Sequence, residues 1–254
     1  MNAARIALGV EYDGTRFLGW QTQAQTPTVQ SELERALAQV ADGPVSVIGA
    51  GRTDSGVHAA CQVAHFDPPT DRPMRSWVLG TNTHLPEDLR IIWAIPVSSD
   101  FNARFSASAR RYAYRIVNRP VRPALDRLTH TWEARTLKAE AMHQGAQALV
   151  GEHDFSAFRA AACQARHGVR RIHHITVSKI GDTVTIEVEG NAFLHHMVRN
   201  IAGSLLVVGR GEKPPSWIGE LLASRDRTIA GPTAPACGLT LEMVTYPAAF
   251  ELPS

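Results

Sequence analysis

The chain has 254 residues, 44% hydrophobic and 20% charged, the balance of a soluble globular protein of one large or two modest domains. Cys61, Cys163 and Cys237 are isolated singles without metal-ligand spacing, which argues against a zinc module or a disulfide framework and fits a reducing cytoplasm. A net charge of +2 does not by itself announce nucleic acid, and no apolar stretch is long enough to span a bilayer, so neither membrane insertion nor secretion is expected.

In chain order, the apolar runs predict a strand over Arg5 to Tyr12, a helix over Val29 to Val40, and strands over Val45 to Ala50 and Val57 to Phe66. A helix over Met74 to His84 and a strand over Leu89 to Ile95 follow. Val29, Leu33, Ala36, Leu37 and Val40 fall at helical spacing, with Thr28 as the N-cap and Gly43-Pro44 as the stop. This β, α, β, β, α, β order is a split βαβ unit, with helices on one sheet face and the other face available to a ligand. From Ala107 the chain enters a strand at Arg110, then a helix around Lys138 to Leu149, strands over Arg171 to Ile180 and Thr183 to Glu189, helices over His195 to Val208 and Trp217 to Ala223, and a last strand over Leu239 to Tyr246. The expected fold is therefore α+β, built as two similar halves, 1–106 and 107–254, with antiparallel sheets.

The segment Gly51-Arg52-Thr53-Asp54-Ser55-Gly56-Val57-His58-Ala59 places one carboxylate between glycines, beside an arginine, at the end of an apolar run. Such a loop, held by rigid elements, is where reactive side chains concentrate. Arg52 stands two residues from Asp54, in position to keep that carboxylate ionised as a nucleophile. Turns between strands are also rich in these residue types for conformational reasons alone. Asp54-Ser55-Gly56 further fits the D-[ST]-G string of an aspartic protease, but only one such string occurs, and a dyad needs two acids sharing a proton.

Cations are unevenly spread. Between Phe101 and Arg135 there are eight arginines against Asp126 and Glu133, a local charge of +6, and Arg159, Arg166, Arg170 and Arg171 lie in a stretch from Phe155 with no acid. Such concentrations suit a phosphate backbone. In the strand at Arg110, alternation puts Tyr112, Tyr114 and Ile116 on one face, either as core or as a stacking surface for bases. Arg199 lies in a mainly apolar helix, where a buried guanidinium would need an acid. Adjacent histidines, His173-His174 and His195-His196, point apart and do not have metal-ligand spacing, and His58 reads as a group that orders its turn. A binding module without catalysis would share these arginines and tyrosines without requiring Asp54.

The string Gly51 to Ala59 resembles the GRTDAGVHA signature of the TruA family of tRNA pseudouridine synthases, with Ser55 for one alanine. The likeness extends through EYDGTRFLGWQ from Glu11, FNARFSA from Phe101, an RRYRY-like motif from Arg110 with Ala113 as the departure, the segment from Asn191 to Ile201, and GLTLEMVTYP from Gly238. The resemblance implies two α+β halves around an RNA-binding cleft, and isomerisation of uridine to pseudouridine at positions 38, 39 and 40 of the tRNA anticodon stem-loop. It assigns catalysis to Asp54, packing on the target base to Tyr112, filling of the vacated space or a phosphate contact to Arg52, and a salt bridge with Asp54 to Arg199. It implies base flipping, a homodimer, a cytoplasmic enzyme, and neither cofactor nor metal.

Overall fold

The computed structural model describes residues 5–23 and 27–253. The chain forms two compact units, Met1–Ser108 with Leu241–Ser254, and Ala109–Thr240. Each is α+β.

In the first unit, β1 (Arg5–Tyr12) is followed by α1 (Val29–Ala41), β2 (Ile48–Gly49), β3 (His58–Phe66) and β4 (Leu89–Val97). β1 lies between β3 and β4 and is antiparallel to both, with Ile6 opposite Phe66 and Tyr12 opposite Ala59 on one side and Tyr12 opposite Leu89 on the other. α1 begins where Thr28 accepts the Ser31 amide proton and Ser31 returns a bond to the Thr28 amide, a reciprocal cap. Val29, Leu33, Ala36, Leu37 and Ala41 form its buried stripe, and Asp42 ends it in the left-handed region at φ 54°.

The strand expected over Val45 to Ala50 contracts to the two residues of β2. Side chains of α1 take over its backbone groups: Val47 N–H donates to Glu34 at 2.9 Å, and Gln30 donates to the Val47 carbonyl at 3.1 Å. The helix expected over Met74 to His84 contains a π-type segment, Ser76–Gly80, that drives Trp77 fully into the core, edge-on to Phe66 at 5.1 Å.

The second unit holds β5 (Ala109–Asn118), β6 (Thr131–Glu133), α2 (Ala139–Ala146), β7 (Gly151–Asp154), β8 (Val169–Ile180), β9 (Thr183–Gly190), α3 (Met197–Gly209) and α4 (Trp217–Ser224). Its sheet runs β5-β9-β8-β7, with antiparallel neighbours, and β6 joins β5 in parallel. Tyr112, Tyr114 and Ile116 stand opposite Val188, Ile186 and Val184, which makes one apolar face, while Arg111 and Ala113 stand opposite Glu189 and Glu187 on the other. β6 and β7 have no alternating apolar signal, and only pairing with longer neighbours makes them strands.

The sequence reading carried the second half to residue 254, whereas the last strand, β10 (Leu239–Thr245), leads the chain back into the first unit from Leu241. Aromatic packing draws it there. The buried Phe101 ring meets Tyr246 and Phe250 at 5.1 and 5.2 Å, and the Tyr246 hydroxyl donates to the Ala103 carbonyl at 2.6 Å.

Candidate active site

Asp54 lies on the connection between β2 and β3, in a turn closed by Val57 N–H donating to the Asp54 carbonyl at 3.1 Å, with Gly56 at φ 78°. Thr53, the preceding residue, is buried, and its hydroxyl meets that of Tyr12 at 2.8 Å. A second segment, Asp13 to Trp20, forms the wall against this turn. Trp20 N–H donates to the Thr53 carbonyl at 3.1 Å, and Gly56 N–H donates to the Phe17 carbonyl at 3.4 Å. Gly19, at φ 86°, packs so closely that a Cβ there would lie 2.6 Å from the Thr53 carbonyl oxygen, so this position needs glycine both for conformation and for space.

His58 anchors the far end of the turn. It is buried, and its Nδ1 accepts the Gly14 amide proton at 3.0 Å while lying 3.1 Å from an Asp13 carboxylate oxygen. The Gly14 bond needs a ring protonated on Nε2 only, whereas donation to Asp13 needs a proton on Nδ1, so one nitrogen faces two incompatible demands. Burial opposes ionisation of Asp13, but bonds from the Thr15 hydroxyl and amide and the proximity of His58 hold its carboxyl below the usual carboxylate range. His58 thus orders the turn, as its position suggested.

Arg52 is exposed and makes no ion pair with any described residue. The expectation that it keeps Asp54 ionised from two residues away is therefore not met by a direct bridge. The inward anchoring of Thr53 leaves the neighbouring Arg52 side chain to solvent, where it faces whatever approaches the loop.

In the second unit, Tyr112 is 8% exposed and meets Phe193 edge-on at 5.2 Å. Tyr114 is fully buried, and its hydroxyl bonds to Thr131 at 2.6 Å and to the Pro235 carbonyl at 2.9 Å. Both tyrosines of the pair are therefore buried, Tyr114 completely and Tyr112 nearly so. Burial pushes the Tyr114 hydroxyl far above its ordinary pKa, with the Thr131 bond only partly opposing that.

Arg199, on α3, is half-buried, and its Nε–H donates to the Ala234 carbonyl at 2.9 Å while Ala234 N–H returns a bond to the Arg199 carbonyl at 3.1 Å. The loop that carries Ala234 is strapped to the helix. Asn200, fully buried, accepts from Thr233 at 2.7 Å and Arg227 at 3.1 Å and donates to the Phe158 carbonyl at 2.8 Å. At Gly203 the loop crosses so closely that a Cβ would fall 1.8 Å from the Pro232 carbonyl oxygen. The segment Gly231-Pro232-Thr233-Ala234-Pro235 has no apolar periodicity and has the composition of a loop. The close crossing uses small residues on both sides, Gly203 and Ser204 on the helix and Gly231 on the loop, which meet only in the folded chain.

Not every arginine of the basic segments is available to a ligand. Arg135 and Arg210 surround Glu133 and Glu212, with Arg135 at 3.1 Å from Glu133 and 2.9 Å from Glu212. Arg119 pairs with Asp182 at 3.7 Å.

The first unit thus holds an acid on a doubly walled loop, and the second, described by itself, holds a buried tyrosine and a strapped arginine. The family described as tRNA pseudouridine synthase matches residues 9–106 and 146–247 of this chain. The chain is 57% identical over 251 residues to tRNA pseudouridine synthase A of Stenotrophomonas maltophilia (strain K279a), covering 98% of each, and 56% identical over 252 residues to tRNA pseudouridine synthase A of Xanthomonas oryzae pv. oryzae (strain PXO99A), also covering 98% of each. A chain in a solved H/ACA RNP bound to a substrate RNA containing 2'-deoxyuridine aligns with a TM-score of 0.38 at 12% identity, over 79% of this chain and 44% of that one. The chain belongs to the tRNA pseudouridine synthase family, and is an isomerase that acts on tRNA. No described helix is long and apolar enough to cross a membrane.

Proposed function

We propose that this enzyme isomerises uridine to pseudouridine at positions 38, 39 and 40 of the tRNA anticodon stem-loop, with Asp54 as the carboxylate that acts on the glycosidic bond. The observation that carries the reading is the turn at Asp54, which has the family signature and is pinned on both sides by Tyr12, Phe17, Gly19 and Trp20. Preorganisation of this kind keeps a reacting group in place without further ordering at the moment of reaction.

The reaction breaks the bond from C1′ to N1 of uracil, turns the base, joins C1′ to C5, and releases the C5 proton as N1 takes one up. Atoms and electrons balance within the nucleotide, so the chemistry requires neither a cofactor nor a redox partner. Asp54 labilises the bond. Tyr112, on the apolar face of β5, packs on the detached uracil, which would be flipped out of the stem to reach the site. Arg52, exposed beside the loop, fills the space the base leaves or grips phosphate. Arg199, its Nε fixed by the strap, supplies the positive charge that pairs with Asp54. We further read the enzyme as a cytoplasmic homodimer, on the family resemblance.

The test is tRNA tritiated at uracil C5. Asp54→Ala should bind tRNA with nearly unchanged affinity and release no tritium, and full turnover by that variant would refute the assignment.

A further inference from the structure

We propose that the loop from Phe155 to Gly168 in the second unit is a phosphate clamp, in which Arg159 and Arg170 together grip a phosphodiester of the RNA backbone. This rests on the tRNA reading and adds two binding residues that are distinct from Asp54, Tyr112, Arg52 and Arg199.

The loop is closed at its base by Phe155 N–H donating to the Gly168 carbonyl at 3.0 Å, and its middle is tied by Ala160 N–H donating to the His195 carbonyl at 3.0 Å. Compact surface loops with joined ends are often functional. Arg159 reaches across the interior, where one terminal nitrogen donates to the carbonyls of Cys163 and Ala165, both at 2.7 Å. Arg170, just past the base, donates to the carbonyls of Val169 at 2.6 Å and His167 at 3.4 Å, and its Nε is buried with no hydrogen-bond partner.

Carbonyl oxygens fix these guanidinium groups without neutralising them. Neither arginine has a carboxylate oxygen within 4.0 Å among the described residues. Asp154, the acid whose field reaches Arg159, is already engaged by the Ser156 hydroxyl at 2.6 Å and by Arg225 at 3.5 Å. Arg170 is destabilised as a cation first by burial and then by the like charge of Arg159, with the Cys163 thiol acting in the opposite sense. Two rigid, unneutralised guanidiniums that repel each other are costly to hold, and an anion between them removes that cost. Their planar donors match phosphate oxygens. Arg166, exposed on the same loop, and Arg171, held only at 3.6 Å by Glu152, add to the field.

Cys163 provides a reporter inside the clamp. Burial raises its thiol pKa, but the amides of Ala165 and His195 and the guanidinium of Arg159 converge on the sulfur and together lower it.

The experiment measures tRNA affinity against salt for the wild type and Arg170→Gln, and the alkylation rate of Cys163 by iodoacetamide, read by mass spectrometry of its peptide. Arg159→Lys, which retains the charge but loses the double carbonyl clasp, guards against misfolding of the loop in any one variant. The expected results are a salt slope about one unit shallower for Arg170→Gln with roughly tenfold weaker binding, and alkylation of wild-type Cys163 slowed several-fold by tRNA. An unchanged slope in Arg170→Gln together with unprotected Cys163 overturns the clamp while wild-type tRNA binding keeps the functional reading intact. Protection by inorganic phosphate alone, with none from tRNA, also overturns it, since the ligand would then be free phosphate. A wild-type enzyme that binds no tRNA sinks the functional reading and the clamp together.

Discussion

The hydroxyls of Tyr12 and Thr53 meet at 2.8 Å in a buried site, one residue before Asp54. That bond joins the end of β1 to the reactive loop, so the placement of the acid depends on a strand distant from it in sequence. Thr53→Val keeps the shape of the side chain and leaves the Tyr12 hydroxyl without that partner, which should cost about 1–2 kcal/mol of stability. Activity should fall mainly in kcat. Urea denaturation and steady-state kinetics give the two numbers, and a loss confined to KM would contradict the placement argument.

Gly19 supports the same loop from the other side. Gly19→Ala demands a left-handed residue at φ 86° and pushes a methyl group against the Thr53 carbonyl oxygen. Stability should drop by about 1–2 kcal/mol from the backbone conformation alone, and more where the loop resists. At a temperature where the variant is folded, turnover should be reduced at least tenfold while tRNA affinity changes little, as read by filter binding.

Arg199 and its strap make a paired prediction. Arg199→Met should abolish turnover while leaving tRNA affinity nearly unchanged, because the positive charge proposed to pair with Asp54 is gone. Gly203→Ala, which drives the Pro232 segment off α3 and so displaces the Ala234 carbonyl from Arg199, should lower kcat in the same way by a smaller amount. An unchanged kcat in folded Gly203→Ala would make the strap merely structural.

The two tyrosines of β5 should separate. Tyr114→Phe removes buried bonds to Thr131 and the Pro235 carbonyl and should lower stability by about 1–2 kcal/mol with kcat retained. Tyr112→Phe should slow tritium release by more than any change in stability accounts for. If both changes act only on stability, Tyr112 is core as well.

His65 gives the first unit a pH dependence. Its side chain is 2% exposed, and Nδ1 accepts the Ala103 amide proton at 3.1 Å, a bond that requires the neutral ring. Burial first, then the charge of Arg5, depresses its pKa from 6.5 to about 4, with Asp67 opposing. The unfolded chain therefore takes up this proton before the folded one does. The stabilisation is complete above pH 6.5 and is lost as pH falls to about 4, a total of roughly 3 kcal/mol for a gap of this size. His65→Asn retains an acceptor without the titration and should flatten the decline in urea midpoint across that interval.

Much of the scaffold was legible because each signal was local. Thr28 and the apolar stripe of α1 announce that helix within one residue of its ends, and the alternation in β9 announces its buried face. The candidate site at Asp54 was suggested by the whole string Gly51 to Ala59, which resembles a family signature, because the residue types by themselves are those of an ordinary turn. Arg52 is exposed and forms no ion pair among the described residues, a placement that sequence adjacency to the buried Thr53 does not specify.

By itself, the sequence determined the family, the segment that carries the acid, and which faces of the longer strands and helices are apolar, all of which depend on residues within a few positions of one another. Tertiary structure alone decided that Tyr12, Gly19 and Trp20 hold the Asp54 turn, that residues from Leu241 onward pack with Phe101, and that the loop at Ala234 fixes Arg199. These are hydrogen bonds and close packings between segments far apart in the chain. Their strength depends on distance and burial in the folded state, and neither quantity is written in local order.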